Sequence, residues 1–430
     1  MAEHLRRRLR PLGRPGENRR GIKVTRRVLV RGAVASAGLA ALPLPQVRRA
    51  AATLAGDFGA RGDGKADDSQ ALTHALNSGS ILDGENRVFA VTNAVKCGER
   101  FKGLVNARLT QINPGGDERR RTLLIQKAAG FVLENVDVDR GGNGSEIADR
   151  AMIGHAGGIF IVDGSRFQLR GVSVRGGGIG SGLAIINCVD FTGDDLMAHD
   201  IWYRLPEHPG DDAIHGMYLL RSRNFTLTRG QTHNLGGSDG ATDSYRVTRG
   251  FGIAGCSGFR LIDPEVKQVG QGIDITGSDG NFDFSIAGGL AEDCESWGFK
   301  FANSAHHGTI EGATARRVGL GGFVVSGETE RGNPHQSYSI TMRRCVVQEV
   351  LGSHRGASFG FGVMAVRRID PSYPRDILFR DCAARTVLPT SRMEFGFRND
   401  VPAPLAEGKP NRAIDCHAEG WRQQEFHGFG

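Results

Sequence analysis

Gly158-Ile159-Phe160-Ile161 opens a unit of sequence that two more short apolar segments, Phe167-Gln168-Leu169 and Val172-Ser173-Val174, complete. In the second and third segments apolar side chains alternate with polar ones, which is typical of a β-strand. The unit returns about ten times along the 430 residues. Further copies begin at Gly182, Gly216, Gly252, Gly272, Gly298, Gly322, Gly362 and Gly396.

A period of roughly 20 to 40 residues with three short strands predicts an all-β solenoid, the single-stranded parallel β-helix, with about ten coils. The chain has 63 glycines, which supply the positive φ angles of sharp corners. Aromatic residues make up only 7 %, so we expect a core of stacked Val, Ile, Leu and Ala. Such a solenoid has no deep pocket, and its function is expected in a groove on one face.

The basic character of the chain is confined to its beginning. Residues 1–50 hold 13 of the 54 Lys and Arg and 2 of the 47 Asp and Glu, which leaves 41 basic and 45 acidic residues in the remainder. A mildly acidic body argues against a nucleic-acid partner. Thr25-Arg26-Arg27-Val28-Leu29-Val30 leads into an apolar stretch, 32–44, that is too short to span a bilayer.

A charged segment, an apolar segment and then small residues at Ala50-Ala51-Ala52 describe an export signal. The segment resembles a twin-arginine signal, which implies export to the periplasm or the medium. We therefore predict a signal and leader over residues 1–52 and one β-helix domain over 53–430. The alternative is a basic disordered tail.

Seven cysteines are an odd number, so they cannot all form disulfides. Cys345, Cys382 and Cys416 fall between the second and third strands of successive late units, where identical residues are expected to stack in the core. The other four, Cys97, Cys188, Cys256 and Cys294, show no CxxC or histidine-rich spacing, so a structural zinc site is not expected.

The stretch 56–72, from Gly56-Asp57-Phe58 through Gly62-Asp63-Gly64 to Asp67-Asp68, precedes a predicted helix. Asp68 or Ser69 is a suitable N-cap, and Ala71, Leu72, Ala75 and Leu76 form an apolar stripe that would cover the open end of the solenoid.

This entry segment resembles that of the pectate-lyase-like right-handed β-helix superfamily. The resemblance implies a right-handed β-helix that acts on polysaccharide. It leaves the reaction open, because lyases, hydrolases, epimerases and phage spikes share the entry segment.

Long connections recur at one corner, between the third strand of one unit and the first strand of the next. They are expected at 140–157, 199–215, 233–251 and 349–361, and the same connection is short at 267–271 and 316–321. Long loops on one edge of a rigid scaffold would wall a groove. The alternative is that this corner merely tolerates insertions.

The middle residue of each glycine-led strand is expected to point outward, because strand side chains alternate. This predicts an outward column made of Phe160, Ala184, Tyr218, Ala254, Asp274, Lys300, Val324 and Met364. Its polar members, Tyr218, Asp274 and Lys300, suggest an acid–base set. A surface ion pair between Asp274 and Lys300 is the simpler explanation.

The chemistry of a uronate lyase or epimerase suits these residues. Such an enzyme needs a base for the proton beside the carboxylate, an acid, and a cation that neutralises the carboxylate. We predict His215 and Tyr218 for proton transfer and Lys300 or Arg204 for neutralisation, with Asp212 and Asp274 orienting them. Lys300 is the preferred neutraliser.

Further residues are predicted to contact substrate rather than to react. The segment 207–216 contains Asp211 and Asp212 and faintly resembles the gly-asp-asp of polygalacturonases, whose companion motifs are absent. The segment 297–327 resembles coils of alginate C5-epimerases but lacks their asp-pro-his signature. The predicted substrate-binding residues are Asp211, Arg204, Trp202, Trp297, His306 and Asp243.

No metal is assigned. His306 and His307 are adjacent on a turn and are not expected to share an ion. Calcium is left open as a cofactor, because Asp239, Asp243, Asp279 and Asp283 lie in glycine-rich turns.

The sequence thus predicts an exported enzyme that acts on an acidic polysaccharide or oligosaccharide by β-elimination or C5 epimerisation. One alternative is a glycoside hydrolase or glycosyl transferase with a carboxylate pair about 5 to 9 Å apart, drawn from Asp211, Asp212, Asp243 and Asp274. The other is a non-catalytic glycan-binding or structural rod, in which polar groups would be spread along the axis. A homotrimer is also left open.

Overall fold

The structure is a computed structural model, and it describes most of the chain beyond residue 52. The described ranges are 53–112, 121–141, 156–178, 180–203, 214–237, 248–277, 279–330, 333–352, 358–365, 373–388, 390–401 and 409–429. The predicted signal and leader lie outside these ranges and stay a prediction.

Each turn of the chain adds one strand to each of three parallel ladders, so the described residues form a parallel β-helix, as predicted. Strands led by the repeated glycine form the first-strand ladder. Its members are Val95–Cys97, Arg121–Gln126, Gly157–Val162, Gly180–Ile186, Ile214–Leu220, Thr248–Ala254, Gln271–Ile275, Trp297–Phe301, Gly321–Glu330, Phe359–Ala365, Phe395–Asn399 and Gln424–His427. A short strand, Asn333–His335, pairs antiparallel with Gly321–Glu330.

The second and third strands of each turn form the other face. In the early turns they are continuous, as Gly103–Gln111, Val132–Asp139, Gln168–Arg175 and Val189–Tyr203. The later second strands are Arg223–Thr228, Ser257–Ile262, Asn281–Ala287, Ala305–Glu311, Tyr338–Arg343, Arg375–Arg380 and Arg412–Ile414. The later third strands are Gln231–Gly237, Glu265–Val269, Leu290–Cys294, Thr314–Val318, Val346–Val350, Ala383–Arg385 and His417–Glu419.

The entry segment precedes the regular turns. It contains the short strands Thr53–Leu54, Asp63–Asp67, Ile81–Asp83 and Val88–Val91, a 3-10 helix at Ala55–Phe58 and an α-helix at Ser69–Leu76. Asp68 is the N-cap residue of the α-helix, and its carboxylate accepts hydrogen bonds from the backbone N–H groups of Arg61 and Gly62. Leu72, Ala75 and Leu76 are buried, which anchors the α-helix on the core.

The repeated glycine marks the place where the first and third strands approach most closely. A β-carbon on Gly216 would lie 2.6 Å from Thr232 Cγ2 on the third strand, so this position faces inward and has no room for a side chain. The next residue, Met217, is also buried in the core. Two inward residues in succession interrupt the alternation, and so His215 and Tyr218, three residues apart, both face outward.

The core differs from the expected one, because phenylalanine rings contribute a continuous stack. Phe131, Phe167 and Phe191 stack at centroid distances of 4.6 and 4.7 Å with nearly parallel planes. Phe225 and Phe259 extend the same stack. A second stack on the first-strand ladder contains Phe299, Phe323, Phe361 and Phe397. The aromatic residues are few but concentrated in such stacks, so the prediction from overall composition was incomplete.

All seven cysteines have free thiols. Cys345, Cys382 and Cys416 occupy successive turns between the second and third strands, as predicted, because the backbone N–H groups after Cys382 and Cys416 bond to the preceding cysteine carbonyls. Cys345 and Cys382 are fully buried, and Cys416 is partly buried.

The predicted long connections begin later than expected. Residues 199–203 and 233–237 continue their third strands, and residues 248–251 and 359–361 already belong to the next first strand. Most of the described residues of these corners are therefore in strands. Among the described residues no helix is long and apolar enough to cross a membrane.

Candidate functional site

Three of the predicted site residues share one outward column of the first-strand ladder. Tyr218 pairs with Gly252, Gly252 with Asp274, and Asp274 with Lys300. At about 4.8 Å per turn, Asp274 lies next to Lys300 and two turns from Tyr218. The predicted column was wrong at two of its members, because Gly252 stands in place of Ala254 and Gly362 in place of Met364. The strands Thr248–Ala254 and Phe359–Ala365 each contain two glycines, and the second glycine of each was taken as the repeated glycine in place of the first.

A second outward column lies beside the first, at the residue before each repeated glycine. Here His215 pairs with Arg249, and Arg249 pairs with Gln271. We call six adjoining polar side chains of these two columns the polar cluster. Its members are His215, Tyr218, Arg249, Gln271, Asp274 and Lys300.

His215 and Tyr218 form a compact pair. Their ring centroids are 4.6 Å apart and their planes meet at 32°. The imidazole lies over Gly252, where a β-carbon would come within 2.4 Å of Cδ2. His215 is 7 % exposed, and burial, assisted by the positive charge of Arg249, lowers its pKa to about 3. The ring is therefore neutral near pH 7.

Arg249 and Asp274 form the ion pair of the cluster. Arg249 Nε lies 2.8 Å from Asp274 Oδ2, and the Asp274 side chain is fully buried. Neither oxygen of Asp274 accepts a hydrogen bond of good geometry from a described residue. The contact is therefore chiefly electrostatic and leaves hydrogen-bonding capacity on the carboxylate.

Unsatisfied polar atoms are concentrated in this cluster. His215 Nε2, Gln271 Oε1 and Asp274 Oδ1 are buried and find no hydrogen-bond partner among the described residues. Buried polar atoms in folded proteins are nearly always hydrogen-bonded. Three such atoms on adjoining turns of one face mark a surface suited to a polar ligand.

Apolar side chains lie on both sides of the cluster along the same face. Leu124, Phe160 and Ala184 form a buried group on the preceding turns, and Tyr218 packs against it. Val324, Phe359 and Phe395 form another on the following turns. The polar cluster is thus flanked by apolar groups on the adjoining turns of this face.

Of the other predicted substrate contacts, Trp297 adjoins the cluster. It precedes Gly298 and so continues the second column one turn beyond Gln271, where it packs with the apolar group around Val324, its ring 5.6 Å from that of Phe359. His306 stands on the second-strand ladder, stacked between Phe282 and Tyr338, so it is not part of the cluster. Trp202 lies near the end of the third strand Val189–Tyr203. Arg204, Asp211, Asp212 and Asp243 are outside the described residues and stay predictions.

The described residues provide no calcium site. Asp279 pairs with Arg221 at 2.7 Å, and Asp283 lies 4.0 Å from His307. Within the described ranges no three His, Cys, Asp or Glu side chains converge in a way that would hold a metal ion. Asp239 and Asp243 lie outside these ranges.

Arg249 and Gln271 were missed in the sequence. Each precedes a repeated glycine, as His215 precedes Gly216, so the position was available as a signal. Applying the same rule to Gly272 would have revealed Gln271, whereas Arg249 precedes Gly250 and not Gly252, the glycine that was taken as the repeated one. The pairing of Arg249 with Asp274 also required the exact register between neighbouring turns, which the doubled glycines obscured.

Fold and surface together define a class: a right-handed parallel β-helix with a polar cluster on the outward face of one ladder. Among solved structures the chain is similar to the A-module of the mannuronan C-5 epimerase AlgE4 of Azotobacter vinelandii. The TM-score is 0.61 and the identity 14 %, over 87 % of this chain and 96 % of that one.

A second similar structure is the AlgE6 A-module from the same organism, with a TM-score of 0.55 and 12 % identity over 86 % of this chain and all of that one. At such identities the likeness establishes the fold alone. No protein-family model and no curated protein matches the sequence.

Proposed function

We propose that this protein is an enzyme that acts on an acidic polysaccharide and removes the proton beside a uronate carboxylate. The observation that carries the proposal is the buried Nε2 of His215, which has no hydrogen-bond partner among the described residues and lies next to Tyr218 and one turn from Arg249. A base, an acid and a cation within neighbouring turns are the groups that this chemistry requires. The two similar structures, both named as mannuronan epimerases, are consistent with such a substrate.

His215 is the proposed base. Its depressed pKa keeps the imidazole neutral, and with the proton on Nδ1 the Nε2 lone pair is available to take the C5 proton. A pKa of about 3 describes a weak base in the free protein. A bound substrate carboxylate would raise that pKa by offsetting the charge of Arg249, so the substrate would itself strengthen the base.

Tyr218 is the proposed acid, and its contact with His215 favours elimination. Epimerisation needs a base and an acid on opposite faces of the sugar ring. A pyranose does not fit between two rings whose centroids are 4.6 Å apart, so both groups would approach from the same side. That arrangement suits β-elimination, in which Tyr218 protonates the leaving O4 as His215 takes the C5 proton and the C4–C5 double bond forms.

Arg249 is the proposed neutraliser, joined by Lys300 from the neighbouring column. Deprotonation beside a carboxylate places additional charge on its oxygens, and a fixed guanidinium stabilises that charge. Asp274 holds Arg249 in place. Gln271, on the next turn, has an acceptor oxygen for a sugar hydroxyl.

The carboxylate-pair hydrolase has less support. Of its four proposed residues only Asp274 is described, and its Oδ2 lies 2.8 Å from Arg249 Nε. The grouping at His215, Gln271 and Asp274 of buried atoms that lack a hydrogen-bond partner among the described residues argues for an enzyme over a non-catalytic rod. An exported enzyme would meet a polysaccharide outside the cytoplasm, and the twin-arginine-like leader supports that location.

The test is a panel of polymannuronate, polygalacturonate and neutral glycans. New ultraviolet absorbance would report the unsaturated product of elimination, and new reducing ends without absorbance would report hydrolysis. A change of uronate composition without chain cleavage would report epimerisation. We expect absorbance on a polyuronate only.

His215→Ala and Tyr218→Phe should each lower the elimination rate by 10²- to 10⁴-fold. Tyr338→Phe, on the other ladder, is the matched control and should retain full activity. Wild-type turnover in both variants of the polar cluster would remove these residues from the mechanism.

A further inference from the structure

A second ring-binding feature lies on the second-strand ladder, away from the polar cluster. Phe282, His306 and Tyr338 occupy one outward column on successive turns. Their rings are stacked with centroid distances of 5.4 and 4.6 Å and planes within 6° of parallel. Arg375 lies over the far face of this stack, 5.7 Å from the Tyr338 centroid.

The opposite end of the stack is open. Phe282 is 40 % exposed, unlike most large apolar side chains in the described part of the chain. The next two residues of the column are Ser257 and then Arg223. Ser257 is too small to cover the face of the Phe282 ring, so the stack stops one turn short of Arg223.

The resulting slot has the dimensions of one ring. Two turns of a β-helix separate Phe282 from Arg223, which is about 10 Å. The rings within the stack are themselves about one turn apart. A further ring above Ser257 would therefore continue the stack, with Phe282 on one side and the Arg223 guanidinium on the other.

The charge beside the slot is positive and unpaired. Arg223 and Arg260 are exposed, and neither forms an ion pair or a side-chain hydrogen bond with a described residue. Of the neighbouring acidic groups, Asp279 pairs with Arg221, and Asp283 is exposed, 4.0 Å from His307. Pyranose rings stack their C–H faces on aromatic rings, and a carboxylate is the natural partner of a free guanidinium.

We propose that the slot formed by Arg223, Ser257, Arg260 and Phe282 binds one hexuronate residue of an acidic glycan. It would act as an accessory site that retains the polymer on the outside of the coil while another segment occupies the polar cluster. Its identity as a ring-and-carboxylate site follows from Phe282 and the arginines alone, so it does not depend on the reaction at His215. Its expected ligand class is the one proposed for the enzyme.

The experiment is an isothermal titration in the His215→Ala background, where any turnover of substrate is slowed. The probes are hexamers of mannuronate and of galacturonate, with cellohexaose as the neutral comparison. Phe282→Ala removes the platform, and Ser257→Phe fills the slot with a ring. Each of these two substitutions should lower the affinity of one class of uronate-binding sites by about tenfold. Arg223→Gln should lower the affinity of the same class. Trp421→Ala, at another exposed aromatic residue, should have no effect.

Unchanged uronate binding in both folded variants, Phe282→Ala and Ser257→Phe, would overturn the proposal. Equally tight binding of cellohexaose by the parent would overturn the assignment to an acidic sugar. Failure of the proposed reaction has a different signature: no turnover by the wild-type protein, with the Phe282-dependent binding retained.

Discussion

Arg249 Nε lies 2.8 Å from Asp274 Oδ2, and the two residues come from neighbouring turns of the first-strand ladder. The pair joins the two outward columns of the polar cluster, since Arg249 follows His215 in one column and Asp274 precedes Lys300 in the other. Asp274 is fully buried, so the pair acts within a medium of low polarity. It is at once a structural contact and the charge on which the proposed chemistry rests.

Replacing Asp274 with Asn should destabilise the fold strongly. The change removes the buried carboxylate that pairs with Arg249, and removing one partner of a buried pair costs about 3 to 5 kcal/mol. Urea denaturation measures the loss. Asp195→Asn, which breaks the exposed Arg229–Asp195 pair, is the matched control and should change stability little. Equal effects of the two changes would show that the Asp274 pair is not buried in solution.

Gly252→Ala should impair activity by moving His215. The new methyl group would meet the imidazole Cδ2 at 2.4 Å and Tyr218 Cδ2 at 3.3 Å, so the ring must leave its place. Overpacking of this kind costs about 1 to 3 kcal/mol. We expect a lower melting temperature and a fall in kcat on the uronate polymer. Gly56→Ala introduces a methyl group with no neighbour within 4 Å and should leave both unchanged.

Stability should fall with acidification, in a way that depends on His215. Its pKa is about 3 in the folded protein and near 6.5 when unfolded, so between these values the unfolded chain binds the extra proton. The contribution of the neutral His215 to the free energy of unfolding is fully present above pH 6.5. It is lost progressively toward pH 3, and the total loss is about 4 to 5 kcal/mol.

The measurement is the free energy of unfolding of the wild type and of His215→Gln across this pH range. Subtracting one from the other removes the contribution of the carboxylates, which both proteins share. A difference that does not change with pH would show that His215 has an ordinary pKa. For the free enzyme we also expect the acid limb of kcat/KM to lie well below pH 6.5.

The cysteines should be unreactive in the folded protein. Burial raises the pKa of Cys188 to about 11 and that of Cys256 to about 12, so almost no thiolate exists at neutral pH. A thiol reagent should modify all seven cysteines in denaturant but at most Cys416, the partly buried one, under native conditions. Cys416→Ser should abolish any native reaction. Rapid native modification of several thiols would contradict the buried ladder.

The glycine-led repeat was enough to predict the parallel ladders and to place Tyr218, Asp274 and Lys300 on one face. It was not enough to show which glycine faces the interior when a strand contains two, as in Gly250-Phe251-Gly252-Ile253, because either glycine matches the motif. The choice depends on which one faces Thr232 and Val266 across the interior, and only packing decides it. For the same reason the register that pairs Arg249 with Asp274 could not be read from spacing.

The inward glycine has a consequence for how such a surface changes over time. Because this glycine interrupts the alternation once in every turn, each coil presents two outward positions. The surface therefore consists of two parallel columns, and each coil adds one residue to each column. Duplication or loss of a single coil outside residues 215–300 would lengthen or shorten the two columns and would leave the residues of the polar cluster in place. Loss of the coil that contributes Arg249 and Gly252 would instead bring Tyr218 directly beside Asp274 and discard the guanidinium, so this coil cannot be exchanged without changing the chemistry.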